Sequence, residues 1–304
     1  MAPRKKILIT GGSGLIGRAL TALLLEGGCE VVHLSRRPAR GGRVRVFRWD
    51  PAQGEMEEGA LEGVSGVVNL AGAGVAERRW TPARKRLILE SRVQSLRLLA
   101  RSLETLPEPR PPVVSASAIG LYGDRGEDWL DESSQPGAGF LAEVVRQWES
   151  ALQAVQALGV RTVALRIGIV LSREGGALPQ MALPLKFFVA PRFGTGRQWY
   201  SWIHMADVCA LFLAALDSED WSGAYNAVAP QPVRQHELLD TLARVLRRPA
   251  LPLPLPKPAL QLLLGEMAAA VLDSTRVRPA RALQQGFRFR FPELEGALRN
   301  LYGK

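Results

Sequence analysis

The chain reads Lys6-Ile7-Leu8-Ile9-Thr10-Gly11-Gly12-Ser13-Gly14-Leu15-Ile16-Gly17 near its start. The apolar run predicts a short buried strand from Lys6 to Thr10, and the glycines after it predict a tight turn. Apolar residues then recur at helical spacing up to Gly27-Gly28, and a second strand is predicted over Glu30–Leu34. A strand, a helix and a second strand within about 30 residues indicate a βαβ unit.

The same alternation continues along the chain. Further strands are predicted at Val44–Phe47, Gly66–Leu70, Val113–Ala116 and Thr162–Arg166. Helical periodicity between them predicts helices at about Pro82–Leu103 and Phe140–Leu158. Strands that alternate with helices indicate an α/β fold with a Rossmann-like, doubly wound parallel sheet.

The pattern changes after about residue 170, where Pro and Gly become frequent. Helices are predicted there at Ala206–Leu216, Arg234–Leu246 and Pro258–Leu272. Leu251–Pro256 alternates Leu with Pro between two predicted helices, which favours a buried edge segment or connector over a polyproline ligand. We expect a Rossmann domain over residues 1–230, with substrate-side insertions from about 170, and a smaller, partly helical C-terminal substrate region over 231–304.

Composition and charge exclude several classes of protein. The 304 residues include two cysteines, which excludes a small disulfide-stapled scaffold. The net charge is +10, but the basic excess lies in residues 1–110 and 231–304 and forms no dense basic stripe. Most of the basic residues are Arg, which indicates a coding bias of the surface as much as a function. We therefore expect no nucleic-acid partner, although part of the charge can serve an anionic ligand.

Membrane and secretion signals are also missing from the sequence. No stretch approaches the roughly 18 consecutive apolar residues that a spanning helix needs. Met1–Lys6 leads directly into the first strand and lacks the apolar region of a secretory signal. We expect a cytoplasmic protein without a membrane partner, either a monomer or a homodimer. Three scattered histidines and the lack of ligand spacing predict no metal site.

The glycine motif predicts a dinucleotide site. One glycine supplies a positive φ, a second lets a pyrophosphate approach the backbone, and a third lets the helix pack closely on the sheet. The N-terminus of the helix then offers free N–H groups to the phosphates. The predicted contacts in this turn are Gly11, Ser13, Gly14, Leu15, Ile16 and Gly17.

The end of the second predicted strand indicates which dinucleotide binds. A carboxylate at this place would accept from the ribose 2′-OH of NAD, whereas Arg accommodates the 2′-phosphate of NADP. The chain reads His33-Leu34-Ser35-Arg36-Arg37, without a carboxylate. Ser35 can donate to a 2′-phosphate and Arg36 can pair with it. The predicted cofactor is therefore NADP(H).

These motifs resemble those of the extended short-chain dehydrogenases/reductases, in their NAD-dependent epimerase/dehydratase group. The matching stretches are Thr10–Gly17, Asn69-Leu70-Ala71-Gly72, Arg166–Leu171, Gly194–Gln198, Trp202–Val208 and Gly223–Asn226. An atypical branch of about 300 residues, with a C-terminal domain of unknown function, is the most similar. Ser115–Gly123, Phe140–Val144, Trp148-Glu149 and Phe291–Leu294 carry that likeness. The resemblance implies a nicotinamide cofactor and a small-molecule substrate.

The chain departs from the catalytic pattern that this resemblance implies. Ordinary members use Ser, Tyr and Lys, with Tyr and Lys one helical turn apart. The predicted helix Phe140–Leu158 contains neither Tyr nor Lys, and the Lys position falls on Val144 or Val145. Arg146 could replace the lysine electrostatically, but its pKa makes it a poor proton shuttle.

The resemblance leaves Ser117 and Tyr122 as catalytic candidates. Ser117 matches the serine that orients the substrate carbonyl, with Ser115 as the alternative. Tyr122 is either the proton donor or a wall of the pocket, and water is the other source of the proton.

Other polar and aromatic residues have two interpretations each. Asn69, with Leu70 and Ala71, contacts the cofactor or forms a turn, and Arg92 faces the cofactor phosphates or solvent. His204 is a base or a structural residue. Trp80, Trp199 and Trp202 line a substrate cleft or pack in the core.

Two hypotheses of function follow. The first is an NADP(H)-dependent oxidoreductase or epimerase-like enzyme that acts on a small carbonyl or alcohol. The second is an NADPH-binding sensor or scaffold that has lost catalysis.

Overall fold

A computed structural model describes residues 5–37 and 42–303 of the protein. Its strands, in chain order, are β1 (Lys6–Thr10), β2 (Glu30–Ser35), β3 (Arg45–Asp50), β4 (Glu55–Met56), β5 (Gly66–Asn69), β6 (Val113–Ala118), β7 (Trp129–Leu130), β8 (Thr162–Ile167), β9 (Ile169–Leu171), β10 (Val189–Phe193), β11 (Trp199–Tyr200), β12 (Trp202–His204), β13 (Gly223–Ala227), β14 (Val233–Arg234), β15 (Leu251–Leu255) and β16 (Arg276–Val277). Its α-helices are α1 (Leu15–Glu26), α2 (Pro82–Glu104), α3 (Phe140–Gln156), α4 (Ala177–Leu185), α5 (Met205–Asp217), α6 (Gln235–Val245), α7 (Lys257–Leu264), α8 (Ala269–Leu272), α9 (Ala280–Gln284) and α10 (Leu294–Tyr302).

The central sheet has eight strands in the order β13-β8-β6-β5-β1-β2-β3-β4. All neighbours are parallel except β4, which pairs antiparallel with β3 at the edge. The predicted doubly wound parallel sheet is confirmed. The chain builds outward from β1 to β3 and then returns to β5 on the other side of β1, so the strand order reverses between β1 and β5. Such a switch point leaves a crevice at the carboxyl ends of the strands, where ligands of this fold class bind.

Helices cover both faces of the sheet. α1 packs with α5, and α2 packs with α3. Because both faces are covered, the central strand β5 is buried at all four of its residues. Thr81 fixes the start of α2, since its hydroxyl accepts from the Arg84 amide and proline follows at the first helical position.

A second hydrophobic core lies outside the sheet. It is built mainly from α4, β10, α6 and α10, with the fully buried Trp202 among its members. Its residues come from both sides of residue 230, whereas Ala282, Phe287 and Phe289 pack against the main core. A domain boundary at 230 stays a prediction, and the smaller region is interleaved with the Rossmann part.

The structure differs from the sequence-based expectation in two segments. The helix predicted over Pro258–Leu272 is divided into α7 and α8, because Gly265 has a φ of +61° and a 3-10 turn follows it. The Leu-Pro segment is an edge strand, β15, paired with β10. The predicted edge position is confirmed, but the predicted burial of the segment is wrong, since Leu251 and Leu253 are 77% and 48% exposed.

Three further findings concern residues 5–37 and 42–303 only. Within them, no helix has the length and apolar character needed to cross a membrane. No cluster of three or more His, Cys, Asp or Glu side chains in the same residues could hold a metal ion. Cys29 and Cys209 are free thiols.

Candidate active site

The loop between β1 and α1 is packed so closely that glycine is required at several positions. Gly11 has a φ of +67°, and a Cβ there would lie 2.7 Å from the carbonyl oxygen of Leu70. A Cβ on Gly17 would lie 2.5 Å from the Gly11 carbonyl oxygen, and one on Gly12 would lie 2.5 Å from the His33 ring. The backbone of the loop therefore lies directly against the ends of β2 and β5.

The first turn of α1 leaves backbone amides available beside this loop. Gly14 is the N-cap residue and has no side chain to accept from them, and the first turn contains no acidic residue. Within the described part of the chain, the amides of Leu15 and Ile16 have no acceptor. Free amides at the positive end of a helix dipole bind phosphate groups. The loop from Gly11 to Gly17, with Ser13 on its exposed side, fits the pyrophosphate of a dinucleotide.

His33 supports the loop from beneath, a role that the sequence analysis missed. Its Nε2 lies 2.8 Å from the Thr21 hydroxyl, which donates to the Gly17 carbonyl at 2.6 Å. Because that hydroxyl has one proton, His33 Nε2 must be the donor to it. Burial lowers the pKa of His33, so the ring is neutral at pH 7. The sequence feature that could have indicated this role is a histidine within an apolar strand that follows the glycine turn and helix.

Ser35 and Arg36 lie at the carboxyl end of β2, at the same edge as the loop. Leu34 pairs with Thr10, so the next residues of β2 stand beside the start of the glycine turn. Ser35 is half-buried, and its hydroxyl accepts from the Arg37 amide at 3.2 Å. Arg36 is exposed. Their contact with a 2′-phosphate stays a prediction.

Asn69 joins three strand ends. Its side chain is fully buried, accepts from the Thr10 hydroxyl at 2.8 Å and donates to the Ser115 hydroxyl at 3.0 Å. Thr10 Oγ1 in turn accepts from the amides of Leu70 and Ala71, both at 3.1 Å. This network fixes the strand end beneath the loop. Cofactor contacts by Asn69, Leu70 and Ala71 stay predictions. Leu70 and Ala71 are partly exposed, whereas Asn69 is buried.

Arg92 projects from α2 toward the segment after β5. Its Nη1 donates to the carbonyls of Ala73 at 3.0 Å and Ile88 at 2.8 Å, and its guanidinium lies 4.9 Å from the centre of the Trp148 ring. Burial, with a smaller effect of the Arg84 charge, lowers the pKa of Arg92 to about 10. This burial does not fit a solvated helix face. A contact with the cofactor phosphates stays a prediction.

Ser117 and Tyr122 belong to a buried network around an ion pair. Arg166 donates from Nε and Nη2 to the two carboxylate oxygens of Glu149, both at 2.8 Å. Ser117 donates to Glu149 at 2.6 Å, and Arg166 Nη1 donates to the Tyr122 hydroxyl at 3.0 Å. The Tyr122 hydroxyl donates to Asn226 at 2.8 Å. Each of these hydroxyl, guanidinium and carboxylate groups has a hydrogen-bond partner inside the protein.

Neither hydroxyl of this network lines the apolar cavity of about 190 Å³ at the carboxyl edge of the sheet. Ser117 is 4% exposed and Tyr122 is 0% exposed, and burial raises the pKa of Tyr122. Between them lie Ile119 and Gly120, which do line the cavity. The two residues therefore hold the cavity wall in this structure, and direct catalysis by either stays a prediction.

An apolar cavity of about 190 Å³ lies at the carboxyl edge of the sheet. Ile119 and Gly120 after β6, Gly168 and Ile169 between β8 and β9, and Phe140 and Leu141 at the start of α3 form its sheet side. Trp80 and Trp199 also line it, whereas Trp202 does not. The mainly apolar lining suits a small apolar compound.

Apolar residues form the start of α3, where the resemblance places the family tyrosine. Phe140 and Leu141, the two positions that resemblance aligns with the family tyrosine, both face the cavity. Val144 and Val145, one turn later, are buried, and α3 contains no Tyr or Lys. Arg146 pairs with Glu143 on the exposed side of the helix.

Asp273, from the C-terminal region, is the one carboxylate that lines the cavity among the described residues, and the sequence analysis missed it. Burial, with a smaller contribution from the charge of Asp124, raises the pKa of Asp273 to about 6, although Lys257 opposes the shift. A single Asp after a helix has no distinctive spacing, so nothing in the sequence set it apart from other acidic residues.

His204 has a structural role. Its Nδ1 accepts from the Ala206 amide at 3.1 Å and so caps α5. Burial, aided by the charge of Arg290, lowers the pKa of His204 to about 4, which keeps the ring neutral at pH 7. Asp207 accepts from the amides of Arg290 and Phe291 at 2.7 and 3.0 Å and fastens the C-terminal region to α5.

Comparison with known proteins agrees with this geometry over most of the chain. Residues 7–227 match the NAD dependent epimerase/dehydratase family, and residues 255–301 match a domain of unknown function, DUF1731. The Epimerase family protein YfhF of Bacillus subtilis is 37% identical over 298 residues, which cover 97% of each chain.

Solved structures show the same likeness. The human epimerase family protein SDR39U1, crystallised with NADPH, is 32% identical, with a TM-score of 0.88 over 98% of this chain and 99% of that one. The Thermus thermophilus UDP-glucose 4-epimerase complex with NAD shares the fold, with a TM-score of 0.76 over 98% of this chain and 99% of that chain at 22% identity. The chain thus belongs to the NAD dependent epimerase/dehydratase family, as an extended short-chain dehydrogenase/reductase with a C-terminal domain of unknown function.

Proposed function

We propose that the protein is an NADP(H)-dependent oxidoreductase that acts on a small carbonyl or alcohol compound. The observation that carries the proposal is the common location of two features. The uncapped first turn of α1 and the apolar cavity both open at the carboxyl edge of one parallel sheet. A bound nicotinamide dinucleotide would supply or accept a hydride at this edge.

The cofactor would be held by backbone at its centre and by side chains toward one end. The proposed contacts are Gly11, Ser13, Gly14, Leu15, Ile16 and Gly17 for the pyrophosphate, Ser35 and Arg36 for the 2′-phosphate, and Asn69, Leu70, Ala71 and Arg92 along the opposite wall. The NADPH bound to the human relative SDR39U1 supports the choice of NADP over NAD. The free amides at the start of α1 support the pyrophosphate position.

Replacing Arg36 with alanine tests the cofactor preference. We expect NADPH affinity to fall roughly 5- to 50-fold, because one charge-assisted contact to the 2′-phosphate is lost. NADH affinity should hardly change, since NADH lacks that phosphate. Titrations followed by the fluorescence of the reduced nicotinamide give both constants.

Arg97→Ala is the matched control for this titration. Arg97 is exposed on α2, so the same loss of charge occurs away from β2. Unchanged NADPH affinity in Arg36→Ala, or an equal loss in both variants, would refute the assignment of Arg36.

A second candidate is an NADPH-binding sensor, which the lack of Tyr and Lys in α3 favours. Oxidation of NADPH in the presence of a panel of small carbonyl compounds separates the two. An enzyme should oxidise NADPH slowly with at least one of these compounds.

The sequence also leads us to expect a small-molecule partner, a cytoplasmic location and a monomeric or homodimeric state. We expect no nucleic-acid partner.

A further inference from the structure

One polar side chain of the cavity has unused hydrogen-bonding capacity. Asp273 lines the cavity, and its carboxyl group has no hydrogen-bond or ion-pair partner among residues 5–37 and 42–303. The hydroxyls on the cavity wall all donate to backbone carbonyls, namely Tyr200 to Val271, Ser201 to Thr275, and Thr275 to Gly123. Among the side chains of this wall, Asp273 thus offers the free hydrogen-bonding group that a ligand in this space would meet.

We propose that Asp273 is the acid–base residue of the cavity and donates its proton to the oxygen of a small apolar carbonyl substrate. This inference rests on the proposed function, because it assigns the proton of the same reaction. It also gives the C-terminal region a catalytic task. That region would complete the site from the side opposite the sheet.

The proposed step balances with the cofactor as the reductant. The carbonyl carbon gains a hydride from NADPH, which becomes NADP⁺, and the carbonyl oxygen gains the proton of Asp273. The aspartate then recovers a proton from water. In the direction of oxidation, the ionised carboxylate accepts the proton of the alcohol.

The surroundings of Asp273 keep part of it protonated near neutral pH. Asp124 lies nearby with its carboxylate held by the Ser274 and Gly126 amides, and Lys257 is the opposing positive charge. The Tyr200 hydroxyl, on the same cavity wall, stays neutral because burial raises its pKa. Burial raises the pKa of Asp273 to about 6. A general acid is most effective when its pKa lies near the pH at which the protein works.

The size and chemistry of the cavity limit the substrate class. Its volume of about 190 Å³ slightly exceeds that of an apolar cavity of about 150 Å³ that holds benzene. Trp80, Phe140, Leu141 and Ile169 supply apolar walls, and Asp273 is the one carboxylate on them within the described residues. An aromatic or branched aliphatic ketone or aldehyde fits these walls better than a sugar with many hydroxyls.

The test uses acetophenone and ethylbenzene as probes, which differ mainly in the carbonyl oxygen. Their binding can be followed by tryptophan fluorescence, because Trp80 and Trp199 line the cavity. We expect acetophenone affinity to fall about 3- to 10-fold from pH 5 to pH 8, as the donor on Asp273 ionises. Ethylbenzene should show a smaller change.

Variants assign the effect to Asp273. Asp273→Asn should bind acetophenone equally at both pH values, because the amide donates throughout, and Asp273→Leu should lose the preference for the carbonyl probe. Asp124→Asn should move the midpoint to lower pH. Asp128→Asn, an exposed change in the same loop, should behave as the native protein. An unaltered pH dependence in Asp273→Asn would overturn the proposal.

Unfolding by urea gives a readout that needs no ligand. The pKa of Asp273 is about 3.8 in the unfolded chain and about 6 in the folded protein. Ionisation of Asp273 therefore destabilises the folded state by an amount that grows as the pH rises between these values. The urea midpoint of Asp273→Asn should equal that of the native protein near pH 4 and exceed it above pH 6. If the two proteins had equal midpoints above pH 6 as well as near pH 4, folding would not raise the pKa of Asp273.

Turnover and cofactor binding separate this inference from the proposed function. If NADPH is oxidised with a carbonyl compound, Asp273→Asn should slow oxidation roughly 100-fold or more without changing NADPH affinity. An undiminished rate would refute Asp273 as the donor. If the native protein does not bind NADPH, the proposed function fails, and the probe titration still decides whether Asp273 donates to a carbonyl.

Discussion

Replacing Glu149 with alanine should lower the free energy of unfolding by about 3–5 kcal/mol, because the change leaves a buried guanidinium without its counter-charge. The side chains of Arg166 and Glu149 are only 10% and 19% exposed. Burial alone would lower the pKa of Arg166, but the hydrogen bonds and charge of Glu149 raise it above the ordinary value. Ser117 also loses its acceptor. Urea unfolding at pH 7 measures the loss.

Two controls show whether the cost arises from the unpaired charge. Glu295→Ala removes an exposed partner of Arg299 and Arg244 and should cost far less stability than Glu149→Ala, because solvent screens such a pair. The double variant Glu149→Leu with Arg166→Met replaces the pair by apolar side chains and should recover much of the stability. A loss below 1 kcal/mol in Glu149→Ala would mean that the pair does not hold the cavity wall.

Replacing Gly17 with alanine should weaken dinucleotide binding roughly 10- to 100-fold, through an overpacking cost of about 1–3 kcal/mol in the loop. The added Cβ would lie 2.5 Å from the Gly11 carbonyl oxygen and 2.7 Å from the Gly12 Cα. Both are backbone atoms, so no side chain can rotate away. The loop or the start of α1 must move, and the free amides move with it. Equilibrium titration with NADPH measures the effect.

Gly296→Ala is the matched control for the glycine substitution. Gly296 lies within α10, and a Cβ there meets no atom within 4 Å. Alanine in a helix interior is favoured over glycine by about 1 kcal/mol, so this variant should be slightly stabilised and should bind NADPH normally. Native affinity in Gly17→Ala would contradict the assigned role of the loop.

Local patterns made the Rossmann part of the fold predictable from the sequence. The glycine turn, the apolar strands and the 3.6-residue periodicity of α2 and α3 are short-range signals, and the parallel sheet follows from their alternation. The division of the predicted helix at Gly265 was not foreseen, because a glycine within a helical pattern does not reveal its φ. The exposure of β15 depends on what packs against it, which the sequence does not state.

The candidate site was predictable only where its signal is local. The glycine loop carries its own motif, whereas His33 acts through contacts with a helix and a turn that only the fold brings together. Asp273 lies more than 130 residues from the start of α3, yet both line one cavity. The resemblance made Ser117 and Tyr122 catalytic candidates, but in the fold the ion pair of Arg166 and Glu149 engages both hydroxyls.

Calorimetric titration of the native protein with NADPH and with NADH, at the same pH and ionic strength, is the decisive measurement of the cofactor assignment. We expect one NADPH to bind per chain with saturation, and NADH to bind at least roughly tenfold more weakly, because NADH cannot make the charge-assisted contact of the 2′-phosphate. Equal affinities, or no saturable binding of NADPH, would contradict this assignment.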